Sequence, residues 1–164
     1  MIEAVIFDLD GTLIHLPIDY EKLFKKLSEI TQLPNVRPLT KVIAQLDEET
    51  KKKAFEVWSE TELEASANMK VNNEGIAHYR KFSDKKKSLI TMQGKPLVQI
   101  VLKRLGLSFN HIVTREDSLN RTEQLRIAAE KLRTPMQNIL FVGNTDEDML
   151  VAEIVGCQFL RVKE

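Results

Sequence analysis

The sequence predicts an α/β fold: a doubly wound parallel sheet with an α-helical insertion after its first strand. Three observations carry this. Ala4, Val5, Ile6 and Phe7 form a continuous apolar run that ends on Asp8, Asp10 and Gly11, the pattern of a short strand covered on both faces. Apolar residues at helical spacing, with no strand pattern, occupy residues 14–74. From Gly75 onward helix and strand patterns alternate to the end of the chain, as in a sheet built from parallel crossover units.

The elements follow in order. Within the insertion, Leu23, Phe24, Leu27 and Ile30 share one helical face, Val42, Ile43 and Leu46 a second, and Ala54, Val57 and Trp58 a third. Pro34 and Pro38 break the first from the second, and the acidic stretch 47–50 marks the next boundary. The core then reads as helix 76–82, strand 88–92, helix 96–105, strand 111–114, helix 122–132, strand 138–142, helix 146–155 and a last strand 157–162. Phe55 and Trp58 are expected in the core or interface of the insertion. Lysines 51–53 and 85–87 read as solvated faces.

Composition excludes several classes. Lysine plus arginine equals aspartate plus glutamate, 24 each in 164 residues, so no net field recruits nucleic acid or anionic lipid. Cys157 is the only cysteine and lies in an apolar segment, which points to an inert thiol and rules out an internal disulfide framework. No apolar stretch is long enough to span a bilayer. With the first strand placed almost at Met1, no signal peptide is expected and a cytoplasmic location is the default. Neither nucleic acid nor membrane is an expected partner; a monomer or homodimer is.

Chemistry concentrates at the end of the first strand. Open α/β sheets bind ligands outside the carboxyl ends of their strands, and the turn at Gly11 lets Asp8 and Asp10 converge on one small volume. Two converging carboxylates invite a hard cation such as Mg²⁺. Turn chemistry alone also supplies Asp and Gly after a strand, but the ordered run Phe7-Asp8-Leu9-Asp10-Gly11-Thr12-Leu13 is longer than a turn requires.

That run resembles the first motif of the haloacid dehalogenase superfamily of phosphotransferases. The resemblance implies Asp8 as the nucleophile that forms an aspartyl-phosphate, and Asp10 as general acid and base. It implies a Rossmann-like core of residues 1–14 and 75–164, with residues 15–74 as a mobile helical cap that excludes water on closing. The second motif is expected at Ser88-Leu89-Ile90-Thr91, where the Thr91 hydroxyl and the Met92 backbone N–H would bind phosphoryl oxygens. The free N–H groups of the helix opened by Gln93, Gly94 and Lys95 also favour an anion.

Two motifs depart from the family pattern. The third should supply a Lys before a helix; Leu119 stands there, with Arg121 the nearest cation and Arg115 a weaker candidate. The fourth is Gly143-Asn144-Thr145-Asp146-Glu147-Asp148, with Asn144 in place of its first acid and Asp148 as its second. Asn144 offers a neutral carbonyl oxygen to a metal, so Asp8, Asp10, Asn144 and Asp148 form the expected Mg²⁺ set, with weakened binding. Asp146 is a possible compensating ligand, and Asp146 and Glu147 also suit a helix N-terminus.

The small helical insertion and the Leu13, Glu116 and Asp117 positions resemble phosphoglycolate-phosphatase-like and β-phosphoglucomutase-like members. The function expected from this resemblance is a Mg²⁺-dependent phosphatase acting on a small phosphorylated metabolite. The alternatives are a catalytically impaired relative that binds a phosphorylated ligand or a protein partner, and a mutase. His15, Arg37 and Lys41 are charged residues of the insertion with an ordinary surface role as the first expectation.

Overall fold

A computed structural model describes residues 1–164. Its centre is a sheet of parallel strands in the order β5-β4-β1-β6-β7. These are β1 (Ala4–Phe7), β4 (Lys86–Ile90), β5 (His111–Val113), β6 (Ile139–Gly143) and β7 (Gln158–Arg161). The chain runs outward from β1 through β4 to β5, then crosses back to place β6 on the other side of β1. That reversal opens a crevice between the carboxyl ends of β1 and β6, the usual binding position of such sheets.

Both faces of β1 are buried, which explains its unbroken apolar sequence. Val5 and Phe7 join a core with Leu89, Leu140 and Val142 of the neighbouring strands and Leu97, Val98 and Val101 of α5 (Lys95–Leu105). Ala4 and Ile6 point into a second core with Ile90, Val113 and Phe141. Leu125, Ala128 and Leu132 of α6 (Arg121–Leu132) and Val151 and Ala152 of α7 (Asp146–Val155) close that side. Helices on both faces make the sheet doubly wound.

Between β1 and the rest of the core lie α1 (Tyr20–Thr31), α2 (Leu39–Ala44) and α3 (Glu48–Ala65). The inward face of α1 is Leu23 and Leu27, and that of α3 is Ala54 and Trp58, as their spacing predicts. Asp19 and Asp47 cap the first and third of these helices by accepting from the N–H groups of Lys22 and Thr50. One expectation fails here: residues 14–74 contain strands. β2 (Ile14–His15) and β3 (Lys70–Val71) pair antiparallel where the insertion leaves and rejoins the core. Two-residue strands carry too little sequence for a period of two to register.

The core elements otherwise fall within two or three residues of their predicted bounds, α4 (Asn73–Lys81) included, and α7 matches residue for residue. Lys87 is a second correction. It is buried rather than solvated, with its ammonium donating to the carbonyls of Phe82, Ser83 and Lys85 and lying over the Tyr79 ring. Cys157 is partly buried against the second core, and burial pushes its thiol up to about 11, as an inert cysteine requires. No helix is long and apolar enough to cross a membrane.

Candidate active site

Three segments build the site at the switch crevice. β1 ends on Asp8, whose backbone N–H donates to the Val142 carbonyl at 3.0 Å and so extends the ladder with β6 by one residue. The chain then turns sharply: the N–H groups of Thr12, Leu13 and Ile14 all approach the Leu9 carbonyl, and Gly11 sits at φ 85°. A Cβ on Gly11 would lie 2.2 Å from the Asn144 Nδ2, so this glycine serves both a left-handed turn and the close approach of the fourth motif. Asp10 is fixed by the Leu16 N–H, which donates to its Oδ1 at 2.9 Å.

β6 delivers the second segment. After Gly143, Thr145 caps α7 and forms a capping box with Asp148. The Asp148 Oδ2 accepts from the N–H groups of Asn144 and Thr145 at 3.2 and 3.3 Å. Thr12 ties the two loops together, its hydroxyl lying 3.4 Å from Asp8 Oδ2 and 3.3 Å from Asn144 Oδ1.

The third segment answers the missing lysine. Asn120 caps α6 by accepting from the Glu123 N–H, which places Arg121 at the first helical position. Its guanidinium donates to Asp8 Oδ1 at 3.1 Å, and its Nε lies 3.6 Å from Asp148 Oδ1. A cation at a helix N-terminus opposes the macrodipole, a local cost that such positions carry where a site needs the charge. Arg115 is not at the site; it is fully buried and paired with Glu62.

Charge and burial tune these groups. Burial pushes the Asp8 carboxyl from 3.8 up to about 6, with Arg121 pulling it down and Asp148 pushing it further up. Burial also raises Asp10, against the Leu16 N–H that favours its carboxylate. Against the burial that opposes its charge, Asp8 and Asp148 raise Arg121 above its ordinary value.

Asp8, Asp10, Met92, Arg121, Asn144 and Asp148 all line one cavity of about 250 Å³. Gln93, Glu147 and Glu164 line it too, and of these Glu164 carries no signal in the sequence that points to the site. Thr91 stands behind the wall: it is fully buried, and its hydroxyl donates to Gln93 Oε1 and accepts from the Gln93 N–H at 3.0 Å. The α5 N-terminus is not free for a ligand anion. Glu62 Oε1 accepts from the Gly94 N–H at 3.1 Å, and Glu116 accepts from the Lys95 N–H at 3.1 Å. The protein supplies its own anions there.

The donors suit a hard divalent ion. Carboxylate and amide oxygens converge on a cavity whose single lining cation is Arg121. No three His, Cys, Asp or Glu side chains gather as a metal cage, and Asn144 contributes a neutral oxygen in their place. Mg²⁺ tolerates such a set, since it keeps several waters and needs only one or two carboxylates.

A family model described as haloacid dehalogenase-like hydrolase matches residues 5–162. The chain belongs to this family. As a haloacid dehalogenase-like hydrolase it shares its fold with many solved structures. A haloacid dehalogenase-like hydrolase from Streptococcus pneumoniae aligns at TM-score 0.70 and 20% identity, over 98% of this chain and 84% of that one. CbbY from Rhodobacter sphaeroides, solved in complex with phosphate, aligns at TM-score 0.71 and 13% identity, over 100% and 87%. A protein from Lactobacillus plantarum assigned as a phosphoglycolate phosphatase aligns at TM-score 0.69 and 16% identity, over 97% and 86%. No curated protein matches the sequence.

Proposed function

We propose that this hydrolase is a Mg²⁺-dependent phosphatase that cleaves a small phosphorylated metabolite through an aspartyl-phosphate on Asp8. The observation that carries the reading is the Asp8 carboxylate, buried at the cavity, paired with Arg121 and followed two residues later by Asp10. A carboxylate oxygen of Asp8 attacks phosphorus in line with the leaving oxygen. Asp10, whose carboxyl is raised by burial, acts as the general acid that protonates that oxygen. In the second half it takes a proton from the water that opens the acyl phosphate.

Arg121 and the backbone N–H of Met92 bind the phosphoryl oxygens, with Thr91 behind them shaping the loop through the Gln93 N–H that it accepts. Asp8, Asp10 and Asn144 would hold Mg²⁺; Asp148, expected from the sequence as a fourth ligand, has its Oδ2 on the Asn144 and Thr145 N–H groups and its Oδ1 beside Arg121, and so positions both instead. The ion would supply charge neutralisation between nucleophile and phosphate. Residues 15–74 act as the cap, joined to the core through the β2–β3 ribbon.

The test is phosphate release from p-nitrophenyl phosphate and a panel of small phosphometabolites. Release that requires Mg²⁺, stops with chelator and is lost in Asp8→Asn supports the phosphatase. Asn144 favours the second reading, a ligand-binding protein with impaired turnover. Absence of Asp8-dependent release at saturating Mg²⁺ would leave that reading standing.

A further inference from the structure

Glu62 and Arg115 form a fully buried ion pair outside the catalytic cavity, 2.7 Å between Arg115 Nη1 and Glu62 Oε2. Each partner reaches the loop that follows Thr91. Arg115 Nη1 also donates to the Met92 carbonyl at 3.1 Å, while the second oxygen of Glu62 accepts from the Gly94 N–H. Met92 and Gln93, between those two anchor points, line the cavity. Glu62 belongs to α3 of the helical insertion and Arg115 to the segment after β5. Arg115 is held in turn by α3, donating to Ser59 Oγ at 2.9 Å and stacking on the Trp58 ring at 4.1 Å. A Cβ on Gly94 would lie 2.6 Å from Arg115 Nη2, so only glycine lets the loop approach the guanidinium this closely.

Stability alone gives no reason for this arrangement. A buried ion pair is commonly matched or bettered by apolar residues of similar volume. Here Arg115 Nε and Trp58 Nε1 are in addition buried without a hydrogen-bond partner. What the pair supplies is geometry. It fixes a carbonyl on one side of Met92-Gln93 and an N–H on the other, and it does so only while α3 is docked.

We propose that Glu62 and Arg115 are positioning residues for phosphoryl binding, clamping the Met92–Gly94 loop to the docked insertion. The proposal rests on the phosphatase reading for its kinetic consequence and on the clamp alone for its structural one. The insertion thereby completes the phosphate loop as well as covering it: undocking α3 removes the acceptor of the Gly94 N–H and, with Ser59 and Trp58, the contacts that hold Arg115 beside the Met92 carbonyl.

The experiment compares the full chain with Glu62→Leu/Arg115→Met and with Glu62→Gln, reading thermal stability, amide exchange at Gly94, and p-nitrophenyl phosphate kinetics with inorganic phosphate as inhibitor. The double variant is expected to fold with a midpoint near that of the parent, yet to exchange the Gly94 amide about tenfold faster. Its KM and its inhibition constant for inorganic phosphate rise about fivefold, with kcat changed less. Glu62→Gln keeps an acceptor for Gly94 but loses the ion pair, so it gives an intermediate exchange rate and serves alone if the double variant fails to fold. Gly94 protection unchanged in a folded variant overturns the clamp. Faster exchange with KM and phosphate inhibition within about twofold of the parent overturns the positioning role. If the parent itself shows no Asp8-dependent turnover, the phosphatase reading fails, and Gly94 exchange decides the clamp without it.

Discussion

Arg121 reaches from the first turn of α6 to donate to Asp8 at 3.1 Å, across 113 residues of sequence. The same guanidinium lies 3.6 Å from Asp148, so one cation links the end of β1 to the fourth motif. An arginine two residues beyond the family's lysine position therefore restores the charge that the sequence pattern lacks. Its planar fork spans both carboxylates, which a point-like ammonium would do less well.

Arg121→Ala is expected to lower kcat/KM for p-nitrophenyl phosphate by about 10² to 10³, the usual cost of removing one preorganised group from developing negative charge. The Asp8 carboxyl should also rise further without its cation, so the acid limb of the pH profile moves up. Arg121→Lys should recover part of the rate. Steady-state rates from pH 5 to 8 check both points.

The Asp8 shift makes a stability prediction. A carboxyl raised from 3.8 to about 6 binds its proton more tightly in the folded state. Its stabilising contribution is complete below the unfolded value and is lost as pH rises toward 6. Above that, the buried carboxylate destabilises the metal-free protein by about 3 kcal/mol, taking roughly 1.4 kcal/mol per pH unit. Asp8→Asn, neutral at every pH, should therefore be the more stable protein at pH 8 by a similar amount, with the difference shrinking toward pH 4.5. Urea unfolding in the presence of chelator measures it; a variant less stable than the parent at pH 8 would contradict the burial argument.

The sequence carried the sheet and β1 well because both are local signals. An apolar run covered on two faces, a turn glycine and two acids all lie within ten residues. Arg121 was legible only as the nearest cation, since whether it reaches Asp8 depends on how α6 is capped by Asn120. The Glu62–Arg115 pair was not legible at all. Its members lie 53 residues apart; no local pattern singles out Glu62, and Arg115 reads only as a weaker candidate for the third-motif cation. Lys87 misled for a related reason: its neighbours in sequence are lysines, but its partners are carbonyls at the end of α4.

Asn144→Asp should tighten Mg²⁺ binding by restoring a negative ligand beside Asp8 and Asp10. The expected change is about tenfold in the Mg²⁺ concentration for half-maximal activity, an interaction of roughly 1.4 kcal/mol. Without metal the same substitution adds an anion to a cavity lined by Asp8, Asp10, Asp148, Glu147 and Glu164, so the chelated protein should melt at lower temperature than the parent. Metal titration of activity and melting with and without Mg²⁺ test the two halves separately.

Two glycines with the same backbone hand separate strain from crowding. Gly11 and Gly106 stand at φ 85° and 66°, where a Cβ is unfavourable on backbone grounds alone. A Cβ at Gly106 meets nothing within 4 Å, whereas one at Gly11 would lie 2.2 Å from the Asn144 amide. Gly106→Ala should therefore cost about 1 to 2 kcal/mol of stability and leave the Mg²⁺ dependence of activity unchanged. Gly11→Ala carries the same backbone cost and must also push Asn144 out of the site, away from the Thr12 hydroxyl that orients it. It should be the less stable of the two and should need more Mg²⁺ for half-maximal activity. Equal metal dependence in the two variants would mean that the Gly11 turn does not set the position of Asn144.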